Sequence, residues 1–438
     1  MRIVLAVFIA ATLATMNAYT QTASDLATIW DKEHVSTMFP SDVRHSDLKK
    51  QLEDLKKLGL RVDEVGRSYA DREIYQVEFG KGPLRVFMWT QMHGDEPTAT
   101  SAVIDMLAYF QTHRQSAWVK QIEQNLTIRV VPMLNPDGAE AFQRRNMQGI
   151  DINRDAIDLT TPEARLLKKL RDDWSPAIGF NLHNQQALTT VGRTGRQAAI
   201  SLLVVYGDAA KTPTDGLERN RRVAAEMADA LHLFIPGHIA RYDDEYTATA
   251  FGDNFSAWGT PVILVETGAL YGRDEMYLVK MNFVAFVTAI NALATGSERT
   301  YSPLSYASLI GNSSGGLRNF VFRHATIRES AATDNLFIAD IGVNTLRRRA
   351  SFTAPNVIRD IGSLSGTQGL EEYDASGFTM VQRLGKLKVG ELAEFLFYKK
   401  DRVVDWGSVE LEKAFPPDAI FSGGKWIKGE GLVPKIAR

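Results

Sequence analysis

Two hydrophobic periods run through this chain, one helical and one of two residues, and the point where they change places divides it. Residues 84–96 read Leu-Arg-Val-Phe-Met-Trp-Thr-Gln-Met-His-Gly-Asp-Glu. A run of bulky apolar residues bounded by Pro83 and Gly94 predicts a buried strand that passes into a polar turn carrying His93 and Glu96. A helix is expected to open near Pro97, with Ala99, Val103, Met106, Leu107 and Phe110 at helical spacing. Upstream, Leu48, Leu52, Leu55 and Leu58 share one face with Lys and Glu opposite, and Gly59 follows as a stop, which predicts an amphipathic helix. Residues 62–79 alternate as two strands around a turn. Residues 126–134 form another apolar run, closed by the turn signal Asn135-Pro136-Asp137-Gly138. Thr161-Pro162-Glu163 has the cap and proline order of a helix start, running to about Trp174. Further strands are expected over 177–182, 200–206 and 261–265, and helices over 214–233 and 275–293.

Strands alternating with helices predict an α/β sheet with helices on both faces, occupying residues 46–297. Beyond residues 298–316, which contain Gly311-Asn312-Ser313-Ser314-Gly315-Gly316 and read as a linker, the period shifts towards two. Short alternating runs around 319–323, 335–339, 395–398 and 419–421 predict a small β-rich C-terminal domain over 317–438.

Length changes this picture little, since 438 residues are enough for two or three domains. A net charge of -2 gives no basic excess to suggest nucleic acid or an anionic membrane surface as a partner. The absence of cysteine excludes disulfides, thiolate metal sites and cysteine nucleophiles, so any metal must be held by His, Asp or Glu. Residues 1–18 combine Arg2, an apolar run over 3–13 and small residues near Asn17 and Ala18, the pattern of a cleavable signal peptide. That predicts a periplasmic or secreted protein without stable membrane association after cleavage, with residues 19–45 as an N-terminal lead-in.

A catalytic zinc site commonly has three nitrogen or oxygen ligands and a fourth position held by water. His93 and Glu96 supply two at the carboxyl end of a strand, where open α/β sheets form their crevice. His183 is the other histidine directly following a strand-like run. Glu266 ends the run Val262-Ile263-Leu264-Val265, where one-sided desolvation would raise its pKa and suit it to general-base work. Between them lies Arg144-Arg145-Asn146-Met147-Gln148-Gly149-Ile150-Asp151-Ile152-Asn153-Arg154-Asp155, and guanidinium groups near a metal suit an anionic substrate.

These residues resemble the zinc carboxypeptidases of the carboxypeptidase A and B type. The likeness rests on six motifs in that family's order: Gly66-Arg67-Ser68, His93-x-x-Glu96, Asn135-Pro136-Asp137-Gly138, the segment Arg144 to Arg154, His183, and Glu266 in Glu-Thr-Gly. It covers about residues 46 to 295. The resemblance implies a mixed central sheet and one Zn2+ ion bound by His93, Glu96 and His183, with Asp151 orienting a ligand histidine. It further implies that Arg144 stabilises the oxyanion, that Asn153 and Arg154 hold the terminal carboxylate of a peptide substrate, and that Glu266 moves the proton between the zinc-activated water and the leaving amine.

Two features depart from the family's pattern. Asp155 stands where an asparagine is frequent, which is expected to add negative charge near the carboxylate pocket. The substrate-capping tyrosine has two candidates, Tyr242 and Tyr246, with Tyr246 preferred on its distance from Glu266. Asp253 is expected to cap a helix or to favour a basic substrate residue. Besides a metallocarboxypeptidase, the same residues fit a zinc-dependent amide deacylase or cell-wall peptide amidase, or a peptide-binding homologue without turnover.

Overall fold

The computed structural model describes residues 21–328 and 335–437, so the signal expected over residues 1–18 lies outside the described residues. The first region is built on a mixed eight-stranded sheet of order β1-β2-β4-β3-β5-β9-β7-β8. Its strands are β1 (Arg61–Arg67), β2 (Glu73–Gly80), β3 (Leu84–Thr90), β4 (Leu126–Val131), β5 (Ile178–Asn184), β7 (Ile200–Val205), β8 (Ile239–Arg241) and β9 (Val262–Thr267), while β6 (Thr190–Val191) lies off the sheet. The four central strands β4, β3, β5 and β9 run parallel; β1–β2, β2–β4 and β7–β9 pair antiparallel, and β8 pairs parallel with β7. Burial on both faces explains why β3 and β5 read as unbroken apolar runs rather than alternating ones.

Helices cover both faces. On one lie α1 (Ala23–Glu33), α2 (His45–Lys57), α3 (Thr98–Thr112), α4 (Ala117–Asn125), α7 (Asp215–His232) and α9 (Glu275–Thr295); α6 (Pro162–Trp174) and α8 (Phe251–Ala257) cover the other. α5 (Pro136–Ala141) stands at the end of the sheet. α9 is apolar all round because it is packed all round, touching α1, α3, α4 and α7, with Phe283 and Phe286 buried. It is long and apolar enough to cross a membrane, but most of it is buried inside the fold. On the opposite face Trp89 packs against Phe255 of α8 with the rings tilted and 4.4 Å between centroids.

The second region is another eight-stranded sheet, formed by β11 (Leu317–Arg328), β12 (Leu336–Thr345), β13 (Asn356–Gly362), β14 (Gln368–Asp374), β15 (Phe378–Gln382), β16 (Phe395–Lys399), β17 (Ala419–Ser422) and β18 (Lys425–Lys428). It has its own aromatic core around Phe322, Phe395, Phe397 and Phe421. The mixed α/β architecture followed by a β-rich region matches the expected fold class. The stretch expected as a linker is folded against the first region: Tyr306, in α10 (Leu304–Ala307), accepts the Val204 amide at 2.9 Å, and β10 (Asn312–Ser313) pairs with β6. A four-residue helix, α11 (Leu411–Ala414), completes the chain.

Two local differences from the sequence expectations have physical causes. Asn135-Pro136-Asp137-Gly138 starts a helix rather than closing a turn. Asn135 caps it by accepting the Gly138 amide, and Pro136 takes the first helical position, where its missing N–H costs nothing. α1 was not anticipated; Thr22 and Asp25 form a reciprocal capping box at its start, and Trp30 is buried, donating to Asp105 at 2.8 Å.

Candidate metal and catalytic site

The carboxyl ends of the parallel strands β3, β5 and β9 lie side by side, so residues far apart in sequence meet there. His183 and Glu266 are cross-strand partners in the β5–β9 register. His93 and Glu96 come from the turn after β3, which can lie close to α5 only because residue 94 is glycine. A Cβ at Gly94 would stand 1.9 Å from the Gly138 carbonyl carbon and 2.2 Å from the Ala139 nitrogen.

His93, Glu96 and His183 are all buried, and one ligand atom of each lies within 4.8 Å of the others. His93 Nδ1 is 2.9 Å from Glu96 Oε1, His183 Nδ1 is 2.6 Å from Glu96 Oε2, and the two Nδ1 atoms are 3.1 Å apart. Ligands held about 2.0–2.1 Å from a tetrahedral zinc are separated by roughly 3.3 Å, slightly more than these edges. The other ring nitrogen of His93, Nε2, faces Asp151 Oδ1 at 3.0 Å, which leaves Nδ1 for the centre of the cluster. Arg144 lies across the cluster, with Nη1 3.1 Å from His93 Nδ1 and 3.3 Å from Glu96 Oε1, and Nε donating to Asp151 Oδ2 at 2.9 Å.

The electrostatics are those of a site that attracts a cation. Burial works against charge on His93, but Glu96 and Asp151 outweigh it and hold the imidazole up at about 9. Burial would raise Glu96, and the two histidines overcome this to hold it well below the usual carboxylate range. Burial lowers His183. The chemistry of the donor set, two imidazoles and a carboxylate with no thiolate, fits zinc.

Glu266 is buried, its Oε2 has no hydrogen-bond partner, and burial followed by the nearby charge of Glu96 raises its pKa well above the ordinary value. A carboxylate next to a cation site but not committed to a donor is available to carry a proton.

The remaining predicted residues divide. Asn153 is half-buried, and its Oδ1 accepts the Phe251 amide at 2.9 Å; Arg154 is exposed and donates to the Asn153 carbonyl at 2.7 Å. Asp155 is buried, with its carboxylate oxygens engaged at the start of α6 by the Thr160 and Thr161 amides and the Thr161 hydroxyl. Asp253 lies in the first turn of α8 and accepts the Thr247 amide at 2.9 Å, with its pKa pushed up to about 6 by burial. Of the two candidate tyrosines, Tyr242 is half-buried with its amide donating to the Leu202 carbonyl of β7 at 2.9 Å, and the charge of Glu266 and then burial raise it; Tyr246 lies four residues further along the same segment.

Two residues near the site were missed. Asn181 shares the His183 face of β5, and its buried Oδ1 has no partner; a polar residue inside an apolar run was the available signal. Asp95 has a buried Oδ1 without a partner, and burial and Glu96 raise it while Arg347 from the second region lowers it. No sequence signal connects Arg347 with that turn.

Residues 47–251 match the sequence profile of a family described as zinc carboxypeptidase. Among curated proteins, Carboxypeptidase 2 of Trichophyton tonsurans is 32% identical over 100 residues, covering 23% of this chain and 18% of that protein. Carboxypeptidase N catalytic chain of Homo sapiens is 27% identical over 122 residues, covering 23% of this chain and 27% of that protein. The chain thus spans about a fifth of the length of the fungal relatives it matches. A metallo-carboxypeptidase from Burkholderia cenocepacia superposes with a TM-score of 0.47 at 14% identity, over 57% of this chain and 69% of that chain.

Proposed function

Because this chain belongs to the zinc carboxypeptidase family through residues 47–251, we propose that it is an exported zinc metallopeptidase that removes the last residue from peptides with a free terminal carboxylate. The observation that carries this reading is the convergence of three buried ligand atoms beside a buried carboxylate that lacks a donor. His93, Glu96 and His183 hold the ion, and Asp151 fixes the His93 ring so that Nδ1 faces it. A divalent ion held there supplies Lewis acidity towards the scissile carbonyl and towards water. Glu266 accepts the proton of the attacking water, which its raised pKa favours, and returns it to the leaving amine. Arg144, half-exposed at the edge of the cluster, donates to the oxyanion. Asn153 and Arg154 bind the terminal carboxylate, and Tyr242 closes over the bound residue. Export rests on the pattern of residues 1–18.

The test is digestion of a synthetic peptide followed over time by mass spectrometry. Stepwise shortening from the carboxyl end, abolished by chelation and restored by zinc, is expected. A peptide left intact, or one cut internally, would contradict the proposal.

A further inference from the structure

The strongest physical link between the second region and the proposed site is one buried arginine. Arg349 lies on the loop after β12, in the run Arg347-Arg348-Arg349, yet it is only 6% exposed. Burying a guanidinium is costly unless its donors are satisfied. Nη2 of Arg349 donates to the Ala139 carbonyl at 2.6 Å and the Glu140 carbonyl at 2.7 Å, and Nη1 donates to the Ser41 carbonyl at 3.2 Å. The first two are carbonyls of the last turn of α5, where a cation is favoured; the Ala139 carbonyl also accepts the Phe142 amide at 3.2 Å.

α5 is the support of the site. The backbone at Gly138 and Ala139 is where Gly94 makes its close approach, so one peptide unit touches the His93–Glu96 turn and the next carbonyl holds Arg349. Asn135, capping the same helix, donates to the Met92 carbonyl at 3.2 Å and the Arg144 carbonyl at 3.4 Å. Directly after α5 the chain turns through Phe142, a non-glycine residue in the left-handed region at φ 50°, and Arg144 follows two residues later. The Cβ of an L-residue is crowded in that conformation, so it must be held by its surroundings. The guanidinium carbons of Arg347 and Arg349 stand 5.5 and 5.3 Å from the Phe142 ring centre.

We infer that Arg349 is a positioning residue for the reaction: by capping α5 and bracing Phe142, the second region fixes where Arg144 and the His93–Glu96 turn sit. This rests on the roles proposed above for Arg144 and the metal ligands. The second region is then part of the catalytic unit rather than an appended module. Arg349 acts through α5 and touches neither substrate nor ion.

The test compares Arg349→Met, Arg349→Lys, Arg144→Met and Tyr271→Phe in the full chain, loaded with zinc, on N-acylated dipeptides with a free carboxylate. Tyr271→Phe is the docking control, because it removes the 2.8 Å bond to Glu371 across another contact between the regions. Arg349→Met is expected to lower kcat by about 10- to 100-fold per zinc-loaded site, because small displacements of a catalytic group cost that much. KM should stay within about threefold, since Arg144 is proposed to act on the oxyanion rather than on bound substrate. Arg349→Lys, which keeps a cation able to donate to carbonyls, should recover much of the loss, and Tyr271→Phe should leave kcat unchanged. A purely structural role would lower the melting temperature and the folded fraction while leaving kcat per loaded site unaltered. That outcome, or an equal loss in Tyr271→Phe, overturns the inference. If Arg144→Met is inactive while Arg349→Met is normal, the inference fails alone; if Arg144→Met is itself fully active, the role given to Arg144 fails and takes the inference with it.

Discussion

Two strand carboxylates, one at the proposed site and one where the two sheets meet, show how the same group is used for opposite ends. Glu371, in β14, accepts from the Tyr271 hydroxyl at 2.8 Å, the Tyr373 hydroxyl at 2.5 Å and the Lys435 ammonium at 2.8 Å. Burial pushes it up, but these three partners outweigh burial and hold it below its ordinary value. Glu266, in β9, is more deeply buried and lacks a donor on Oε2; burial and a neighbouring negative charge both raise it. The first carboxylate has its charge committed to holding two regions together. The second keeps a proton within reach, at a cost in stability that a purely structural position would not carry.

The sharpest way to break this contrast is Glu266→Gln, which removes the proton carrier and keeps the shape. It is expected to lower kcat by about 10²- to 10⁴-fold while zinc remains bound, measured by steady-state kinetics beside metal analysis. Survival of full activity would remove Glu266 from the mechanism. The next effect concerns pH. Glu266 must be unprotonated to accept a proton and its pKa is raised, so kcat/KM should fall as pH drops through a value above the ordinary glutamate figure of about 4.3. A limb at or below that figure would show that the burial effect is absent from the working enzyme.

Asp151→Asn follows in size. It keeps a hydrogen-bonding group beside His93 Nε2 but removes its charge, and zinc affinity should weaken by about 10- to 100-fold in a competition titration. The smallest effect is on the other side of the comparison. Glu371→Gln should cost about 1 kcal/mol of stability near neutral pH, with kcat unchanged. The sign with pH follows from its lowered pKa. The stabilisation is present above the ordinary carboxylate value and is lost as pH falls through the folded value, so thermal melts of variant and parent should converge in acid.

Much of the first region could be read in the sequence because its signals are local. The apolar runs of β3 and β5 and the helical spacing over α2 and α3 are set by short-range periodicity. The residues His93, Glu96, His183 and Glu266 were legible because each lies at or just beyond the end of such a run. What was not legible depends on distant partners. Arg349 sits in a triple-arginine run that reads as a solvated loop, and only the fold reveals carbonyls of α5 waiting for it. β14 pairs parallel with β11, a contact that short-range alternation cannot specify. The partners of Asp155 are not legible for the same reason, since the motif does not show that its oxygens accept from Thr160 and Thr161. Tyr242 and Tyr246 are four residues apart in a polar segment, where periodicity gives no basis for choosing between them.

The proposed chemistry requires His93, Glu96 and His183 to form one ion site beside Glu266. The most direct measurement is zinc binding by competition with a chromophoric chelator, in the parent chain, Glu266→Gln and His183→Ala, each checked for folding by circular dichroism. One tightly bound ion per chain is expected in the first two and none at the same zinc activity in His183→Ala. A folded His183→Ala chain that binds zinc as tightly as the parent would contradict it.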